Sequence, residues 1–479
     1  MKRILTIVLA LMLVLSCTAF VASAEAEKKL SVLTIAAGAS FPDGVTVGTS
    51  DYLQKIEELT GFDLEWTNFT DASTDGLMLM MTSGNTPDLI QYASGAPLVD
   101  LANSGAIAPL NNSLEKNGQG LLGLLPQDVI DMGTIDGNIY FLPRYTGGGQ
   151  LGTITIRKDV LDKLGLGIPK TIEDYDVVFQ TVKEQTDLTP LMLQSGRSSF
   201  MLFASALGVD FTRNTYFYVV NDECTIPVLT EKGQAFIEKM HEWYVAGYID
   251  PEYLMDSEVI SKFLAGSGFA TFLDYTQIAR QVPTFYEKNP DAELIYIDPP
   301  VGANGETGYT VDGTTSMAWF VPAANANKAD LAIEFLNACL DEKVLNLICY
   351  GIEGENWEYV DGVPTFIEGN FPVDYRGYYS RVVLDRTWDE AWEASMGITE
   401  LCEQLQGYRK FNEILYLPPV GVEAYAEHNA EISSFINDEV NRMIVEGTNE
   451  QAIAEVFEKV LELGGDKVID QVNAWLRSK

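Results

Sequence analysis

Histidine, cysteine and basic residues are scarce in this chain, and each scarcity excludes a class of function. The 479 residues include two histidines, five cysteines, and 31 lysines and arginines against 69 acidic residues. A formal net charge of −38 repels polyanions, so nucleic acid and anionic membranes are not expected as partners. Histidine is the most common general acid or base in enzymes, and this chain has only two. We predict that His241 and His428 are structural or exposed.

The cysteines predict neither a disulfide framework nor a metal site. Cys339 and Cys349 lie in one predicted helix, about 15 Å apart along its axis, which is too far for a bridge. Cys224 and Cys402 are able to pair in principle, but a core of this size needs no crosslink, so we expect structural free thiols. No Cys/His spacing is typical of zinc, and we predict no metal and no cofactor.

Long apolar runs are also missing apart from one near the start. Lys2 and Arg3 precede an apolar run from residue 4 to residue 15, which is shorter than the ~20 residues of a membrane-spanning helix. Small residues then end at Ala24, so we expect residues 1–24 to be an export signal and the protein to act outside the cytoplasm. Cys17 follows a lipobox-like Val-Leu-Ser and is the alternative processing point, where lipidation would attach the protein to the outer face of the membrane.

What the sequence does contain is an alternation of strand-like and helical segments. Strands are predicted at residues 30–36, 62–66 and 87–92, with helices between them. A second set begins at residue 153, continues through helices near 171–185, 198–207 and 230–246, and includes a strand at 268–273. This alternation predicts an α/β protein in which each of two lobes is a mostly parallel sheet flanked by helices. The tail from residue 429 to 475 is predicted helical, with a break at 447–449.

Two loop motifs resemble ligand sites but have simpler interpretations. Residues 71–76 imitate the start of a calcium loop, yet Thr82 stands where the closing glutamate belongs, so a capped helix start is the better interpretation. The glycine-rich residues 147–152 lead into a strand instead of a helix, and therefore lack the helix dipole of a phosphate loop. We interpret them as a hinge between the lobes.

Aromatic and charged residues at predicted strand ends are the candidate ligand-binding groups. Tyr92, Arg144, Tyr145, Asp274 and Tyr275 each follow an apolar strand-like run. In open α/β sheets ligands bind beyond the carboxyl ends of strands, where rings stack on sugar faces and charged groups bond to hydroxyls. Core packing is an equally good interpretation of each tyrosine alone. If they bind ligand, Tyr92→Ala and Tyr275→Ala weaken binding and leave the unliganded melting temperature almost unchanged.

A series of short motifs in order along the mature chain resembles the extracellular solute-binding proteins of family 1, in particular the larger oligosaccharide-binding members. The motifs are Gly84-Asn-Thr-Pro87-Asp88-Leu-Ile, Leu98 to Leu110, Asp136-Gly137-Asn-Ile-Tyr140-Phe-Leu-Pro143, Ile156 to Leu161, Ala329 to Leu336, and Tyr350-Gly351-Ile352-Glu353-Gly354. The resemblance implies a type II periplasmic-binding-protein-like fold, with a hinge between two lobes and the ligand held between them.

The resemblance also implies domain boundaries and further site residues. After the signal peptide at 1–24, the predicted divisions are 25–149 for the first part of lobe 1, 150–315 for the first part of lobe 2, 316–410 for the lobe 1 return with an insertion, and 411–479 for terminal helices mainly of lobe 2. By position, the resemblance places Phe41, Trp357 and Tyr416 at the binding cleft beside Tyr92, Asp274 and Tyr275. Several relatives carry a calcium loop where residues 184–190 stand here, but this stretch lacks the alternating oxygen ligands, so we predict no calcium there.

The resemblance therefore predicts a monomeric binding protein, not an enzyme, that delivers a carbohydrate to the transmembrane subunits of an ABC importer. Two alternatives remain open at this point. One is a secreted carbohydrate-active hydrolase, since 69 acidic residues always allow a carboxylate pair to be proposed. The other keeps the binding fold but makes the ligand a peptide, or the protein a sensor subunit.

Overall fold

The structure is a computed structural model. It describes residues 28–34, 49–68, 73–93, 96–144, 152–193, 203–209, 216–220, 222–254, 258–308, 317–367, 400–401, 403–404 and 422–478.

A first set of elements occupies the early part of the chain. Its strands are β1 Lys29–Thr34, β2 Asp63–Asn68, β3 Leu89–Ala93, β4 Thr134–Ile135, β5 Asn138–Ile139 and β6 Phe141–Pro143. Its helices are α1 Asp51–Thr60, α2 Thr74–Thr82, α3 Ala96–Asn103, α4 Asn111–Asn117, α5 Gln119–Leu124 and α6 Gln127–Met132. The predicted strands near residues 30, 62 and 87 are confirmed, with shifts of a few residues at their ends.

A second set follows from residue 152. Its strands are β7 Gly152–Arg157, β8 Thr189–Met192, β9 Tyr218–Val220, β10 Glu223–Thr225, β11 Gly268–Asp274 and β12 Leu294–Ile297. Its helices are α7 Lys158–Leu164, α8 Ile172–Gln185, α9 Glu231–Val245, α10 Val259–Leu264 and α11 Tyr275–Lys288, with 3₁₀ turns at Ser205–Leu207 and Pro227–Leu229.

The last part of the chain returns to the first set and ends in helices. Strand β13 is Met317–Phe320, and a 3₁₀ turn at Ala323–Lys328 leads into α12 Ala329–Ala338 and α13 Glu342–Tyr350. A hairpin follows, with β14 Trp357–Val360 and β15 Val363–Phe366. The terminal helices are α14 Glu423–Glu446, α15 Glu450–Val460 and α16 Asp466–Ser478, with a π-helical turn Leu461–Gly465 between the last two. The predicted break near residue 447 is confirmed. No helix among these described residues is both long and apolar enough to cross a membrane.

Two separate sheets are built with the same arrangement of strand directions. The first has the order β2-β1-β3-β13-β6, in which β13 is antiparallel to both neighbours and the other four strands share one direction. The second has the order β12-β7-β11-β8, in which β7 is the antiparallel strand. In each sheet the antiparallel strand is the one that arrives from the other sheet. The sheets are thus mostly parallel by direction, as predicted.

Helices cover both faces of the first sheet, which explains why its inner strands β3 and β13 are mostly apolar, whereas the edge strand β2, Asp63–Asn68, alternates polar and apolar residues. On one face Leu30, Val32 and Trp319 pack with α12, and on the other Leu33 and Ile90 pack with α2 and α3. Alternate side chains of a strand point to opposite faces, so a strand covered on both sides must be apolar at successive positions. Each face then contributes its own hydrophobic core.

The second sheet has one large core, which it shares with the terminal helices. Residues from β7, β11, α8, α9 and α14 all belong to this core. Leu401 also packs in it, and the amide of Gln404 donates a hydrogen bond of 3.0 Å to Asp298 just after β12. The described chain has therefore returned to the second lobe by residue 401, ahead of the predicted division at 410.

The cysteines are partly as predicted. Cys224 and Cys339 are buried free thiols, which confirms that expectation, and burial raises the pKa of the Cys224 thiol to about 12. The single helix predicted through Cys339 and Cys349 is wrong. Helix α12 ends at Ala338, and Asp341 caps a new helix by accepting a hydrogen bond from the N–H of Lys343.

One ion pair anchors the start of α7 to the edge of the second sheet. The guanidinium of Arg157 donates to both carboxylate oxygens of Asp159, at 2.8 and 2.6 Å, and the N–H of Glu293 donates to the same carboxylate at 3.1 Å. Partial burial tends to raise the pKa of Asp159, but the bonds from Arg157 and Glu293 outweigh it and hold the pKa below its usual value.

We expect Asp159→Asn to destabilise the protein at pH 7 and to have progressively less effect in acid. A lowered folded pKa contributes stability that is present above the unfolded value of about 3.9 and is lost as the pH falls through the folded value. Melting temperatures between pH 3 and pH 7 test this, with the exposed Asp291→Asn as the control. A difference between wild type and Asp159→Asn that stays constant down to pH 3 would contradict the assignment.

Candidate functional site

The carboxyl ends of four strands meet at one edge of the first sheet. Strands β1, β2, β3 and β6 all end there, and the antiparallel β13 begins there with Met317 opposite Ala93. The N–H of Arg144, directly after β6, donates a 2.8 Å hydrogen bond to the carbonyl of Met317. The points at which the chain leaves and re-enters this sheet therefore lie side by side at its carboxyl edge.

The second sheet repeats the arrangement at its own carboxyl edge. Strand β7 begins there at Gly152, which is paired with Asp274 at the end of β11. Strand β12 ends at the same edge, with Ile297 opposite Ile154. The hydroxyl of Thr153 donates to the carbonyl of Ile297 at 2.6 Å and fixes the two strands at this end.

Short connections bring these two edges near each other. From residue 144 to residue 152 the chain takes eight peptide steps, which reach no farther than about 29 Å even when fully extended. The connection from residue 308 to residue 317 joins the same two edges. Ligands of open α/β sheets bind beyond the carboxyl ends of strands, so the region between these edges is the candidate binding site.

Tyr92 lies at this edge, but its side chain packs in the core. It is 3% exposed, and it shares a cluster with Ile90 of its own strand, Leu77 of α2 and Leu98 of α3. Helix α3 begins three residues after β3 and covers the ring. The expectation that Tyr92→Ala leaves the unliganded protein unaffected conflicts with this burial.

Arg144 is a buried cation at the carboxyl edge. Its side chain is 4% exposed although it stands at the last described position before the connection to the second lobe. Burying a guanidinium is costly unless its charge is compensated, so the surroundings of this strand end must stabilise the charge. Arg144 therefore lies at the predicted edge, but its side chain is not an exposed group.

Trp357 begins strand β14 of the β14–β15 hairpin, where it pairs with Phe366. It is 2% exposed, and its indole N–H donates a 2.8 Å hydrogen bond to the carbonyl of Gly351. Its ring packs against Tyr350 and Tyr359, with centroids 5.3 and 5.0 Å away. The indole thus closes the Gly351–Gly354 turn, and its packing accounts for it without a ligand.

The structure describes two of the remaining predicted residues, and of these only the backbone. The backbones of Asp274 and Tyr275 lie where β11 ends and α11 begins, at the carboxyl edge of the second sheet. Phe41, Tyr145, Tyr416 and Cys17 lie outside the described residues.

Asp298 is an edge residue that the sequence analysis missed. It is exposed, it follows β12 directly, and it accepts the hydrogen bond from Gln404. The rule that selected Tyr92 and Asp274 would have selected Asp298 as well, had residues 294–297 been recognised as a strand. A carboxylate and an amide at this position are suited to sugar hydroxyls.

Metal-ligating side chains do not cluster in the part of the chain that the structure describes, where no group of three or more His, Cys, Asp or Glu is arranged to hold an ion. In the stretch expected to lack calcium, the hydroxyl of Thr186 donates to the carbonyl of Val182 at 2.7 Å and accepts from the N–H of Leu188 at 3.1 Å. This is a helix end satisfied by its own side chain. The absence of calcium stays a prediction.

The family-like motifs of the first lobe have structural roles. The carboxylate of Asp88 accepts from the N–H of Ser31, and the hydroxyl of Ser31 accepts from the N–H of Asp88, each at 3.0 Å. These bonds set the start of β3 against β1. Asp330 accepts from Ser113 at 2.7 Å and from Lys116 at 2.5 Å, which holds α12 on α4. Both motifs therefore fix the sheet and helices that carry the candidate site.

The fold defined by these sheets is that of the two-lobed solute-binding proteins. The solved structures most like it include FusA from Streptococcus pneumoniae, an ABC-transporter substrate-binding protein whose EF-hand mutant was solved with fructo-nystose. That structure matches with a TM-score of 0.74 at 17% identity, over 94% of this chain and 99% of FusA. An HMO-binding, ABC-transporter-associated solute-binding protein from Bifidobacterium longum infantis matches with a TM-score of 0.72 at 17% identity, over 94% and 99% of the two chains.

Sequence comparison extends over the full chain. Lipoprotein LipO of Bacillus subtilis is 21% identical over 506 aligned positions, covering 100% of this chain and 98% of LipO. The fructooligosaccharide-binding protein FusA is 29% identical over 227 residues, covering 42% of this chain and 41% of FusA. No family model matches the sequence. The homologues of this chain include substrate-binding proteins of carbohydrate ABC transporters, which confirms the resemblance found in the sequence.

Proposed function

We propose that this protein captures a carbohydrate, in particular an oligosaccharide, between its two lobes and delivers it to the transmembrane subunits of an ABC importer. The observation that carries the proposal is the pair of sheets whose carboxyl edges are joined by two short connections. Similarity over 42% of this chain to a fructooligosaccharide ABC transporter substrate-binding protein supports it.

The proposed binding groups are those at the two carboxyl edges. Arg144 on the first lobe and Asp274, Tyr275 and Asp298 on the second would bond to hydroxyls or stack on sugar faces. Tyr145, in the connection after Arg144, is included from the sequence, and so are Phe41 and Tyr416. Closure of the lobes by movement at the connections would bring the two sets together.

The protein is proposed to bind its ligand without chemical change and to act as a monomer outside the cytoplasm. Cleavage after Ala24 would release the protein, whereas processing before Cys17 with lipidation of that cysteine would attach it to the membrane. Similarity to a protein named as a lipoprotein favours the second form of processing. Labelling of the exported protein with a fatty-acid probe, with Cys17→Ala as the control, distinguishes the two forms.

A thermal-shift screen tests the proposed ligand class. Residues 25–479 are mixed with neutral oligosaccharides, oligogalacturonates, monosaccharides and peptides. A ligand at one hundred times its dissociation constant stabilises the folded state by about 2.7 kcal/mol, which is readily measured as a higher melting temperature. We expect a shift with one oligosaccharide class, and we expect chromatography of the mixture to show the sugar intact.

Each other outcome of the screen contradicts a stated part of the proposal. A shift with peptides alone would keep the fold and refute the carbohydrate. Cleaved sugar would favour the hydrolase, and no shift with any of the compounds would favour a sensor subunit that acts without these ligands.

A further inference from the structure

A groove of about 670 Å³ opens on the second lobe beside the amino-terminal end of α9. Its polar lining residues are Ser205, Thr225, Thr230, Glu231, Lys232, Glu306 and Thr307. Val220 and Pro227 supply apolar surface, and the described lining residues include no aromatic ring. None of the site residues predicted from the sequence lies in it.

The groove lies at the same edge of the second sheet as the proposed binding groups. Glu306 and Thr307 belong to the loop that follows β12, and Ser205 lies in the 3₁₀ turn against which this loop packs, so one wall comes from a segment beyond a carboxyl end. Helix α9 leads to Ile249, which pairs in parallel with Leu191 of β8, so α9 begins at the carboxyl edge too. With strands about 4.8 Å apart, the four-stranded edge is only about 15 Å wide.

The walls of the groove are held by close backbone contacts. The N–H of Gly302 donates to the carbonyl of Glu306 at 2.7 Å, which closes the loop after β12. A Cβ atom on Gly302 would lie 1.8 Å from the carbonyl oxygen of Ala206, so this loop lies flush against the segment after β8. Thr230 caps α9 by accepting from the N–H of Gly233 at 3.3 Å. The groove is therefore formed without a ligand.

The charges of the groove disfavour an anionic ligand. Its charged groups are Glu231, Lys232 and Glu306, two carboxylates and one ammonium, with 4.0 Å between Lys232 Nζ and Glu306 Oε1. Hydrogen bonds from its own N–H and from Asn304 lower the pKa of Glu306, so the carboxylate stays ionised. Ser205, Thr225, Thr230 and Thr307 add four hydroxyl groups, of which Thr230 and Thr307 already donate to the carbonyls of Pro227 and Pro299 at 2.6 and 3.4 Å. Together with the carboxylates and the ammonium, this lining is suited to an uncharged, hydroxyl-rich ligand.

We propose that this groove is an additional subsite for uncharged sugar units, and that it makes the protein select neutral oligosaccharides long enough to reach it. The subsite rests on the proposed function, because it extends the site between the lobes along the edge of the second sheet. It would discriminate against both short sugars and uronic-acid chains.

Isothermal titration calorimetry with a ladder of fructo-oligosaccharides of three to six units tests the subsite. If another neutral class gives the larger shift in the screen, the ladder of that class is used. Val220 lines the groove and is 42% exposed, so Val220→Trp fills the groove from its surface. The matched control is Val245→Trp, since Val245 lies at the other end of α9 and is 68% exposed.

We expect the affinity of the wild type to rise at least tenfold from the trisaccharide to the hexasaccharide. Val220→Trp should abolish that rise and leave the trisaccharide affinity unchanged, whereas Val245→Trp should behave as wild type. Lys232→Gln, which removes the ammonium at little structural cost, should weaken the hexasaccharide about threefold or more and spare the trisaccharide. Lys232→Gln therefore tests the subsite even if Val220→Trp does not fold.

Three results would overturn the subsite. They are a wild-type affinity that does not depend on length, a length dependence that survives both groove substitutions, and tighter binding of oligogalacturonates than of any neutral ladder. A wild type that binds no carbohydrate at all contradicts the proposed function itself, so the two failures are distinguishable.

Discussion

Replacing Tyr92 with alanine is expected to lower the melting temperature of the ligand-free protein by roughly 6–20 °C. The ring is 3% exposed and packs under α2 and α3. Removing a buried aromatic side chain typically costs about 3–5 kcal/mol, because apolar contacts are lost and a cavity remains. A change of 1 kcal/mol shifts the melting temperature of a domain of 150–250 residues by roughly 2–4 °C.

Differential scanning calorimetry of the ligand-free protein measures this effect. Tyr92→Phe keeps the ring and should recover most of the stability, which separates packing from the hydroxyl group. A Tyr92→Ala variant that melts with the wild type but binds oligosaccharide at least tenfold more weakly would restore Tyr92 to the ligand-contacting set predicted from the sequence.

Trp357→Ala is expected to lower the free energy of unfolding by about 3–5 kcal/mol, as Tyr92→Ala does. The indole is 2% exposed, packs between Tyr350 and Tyr359, and donates a 2.8 Å hydrogen bond to the carbonyl of Gly351. Alanine would leave a cavity in the hairpin and a carbonyl without this donor. The hairpin should therefore open, and proteolysis near residues 351–366 should become faster in the ligand-free protein.

Trp357→Phe is the matched control, because it keeps an aromatic ring and removes the hydrogen bond, which is worth about 1 kcal/mol. Limited proteolysis with mass spectrometry, beside calorimetry, locates the change. Wild-type protease resistance in Trp357→Ala together with a large loss of sugar affinity would contradict the structural role.

Local structure was predictable where it depends on local chemistry. The helix predicted at 171–185 is Ile172–Gln185. It begins there because Thr171 and Asp174 form a capping box, whose hydrogen bonds lie within the first turn and need no other part of the fold. The break predicted at 447–449 is a gap between α14 and α15, because Gly447 adopts a positive φ of 92° and Asn449 caps the next helix. Neither feature needs a partner far along the chain.

The helix predicted through Cys339 and Cys349 failed for a local reason too. Apolar periodicity continues across the junction, but Asp341 provides a cap that interrupts it. Asp298 was missed because Leu294–Ile297 has only four residues and pairs with β7 in the second sheet. Strands that short are stabilised by their neighbours, and the neighbours are far away in sequence.

For the candidate site, the sequence indicated which residues lie at the carboxyl edges of the sheets but not which of their side chains are exposed. Tyr92 and Arg144 both follow apolar strands, and nothing in either segment indicates that α3 covers the first or that the second is 4% exposed. Burial is decided by the elements packed against a strand, so a strand-end rule finds positions and cannot find exposure.

The sequence by itself determined the class of this protein, through its α/β alternation, its acidic and histidine-poor composition, and an order of motifs that resembles the extracellular solute-binding proteins of family 1. Only the tertiary structure decided that β7 and β13 enter their sheets antiparallel, that Tyr92 and Trp357 are core residues, and that Ser205, Lys232 and Glu306 line one groove. The physical reason is that capping and periodicity are satisfied within a few residues. Strand order, burial and cavities depend instead on contacts between segments that lie far apart along the chain.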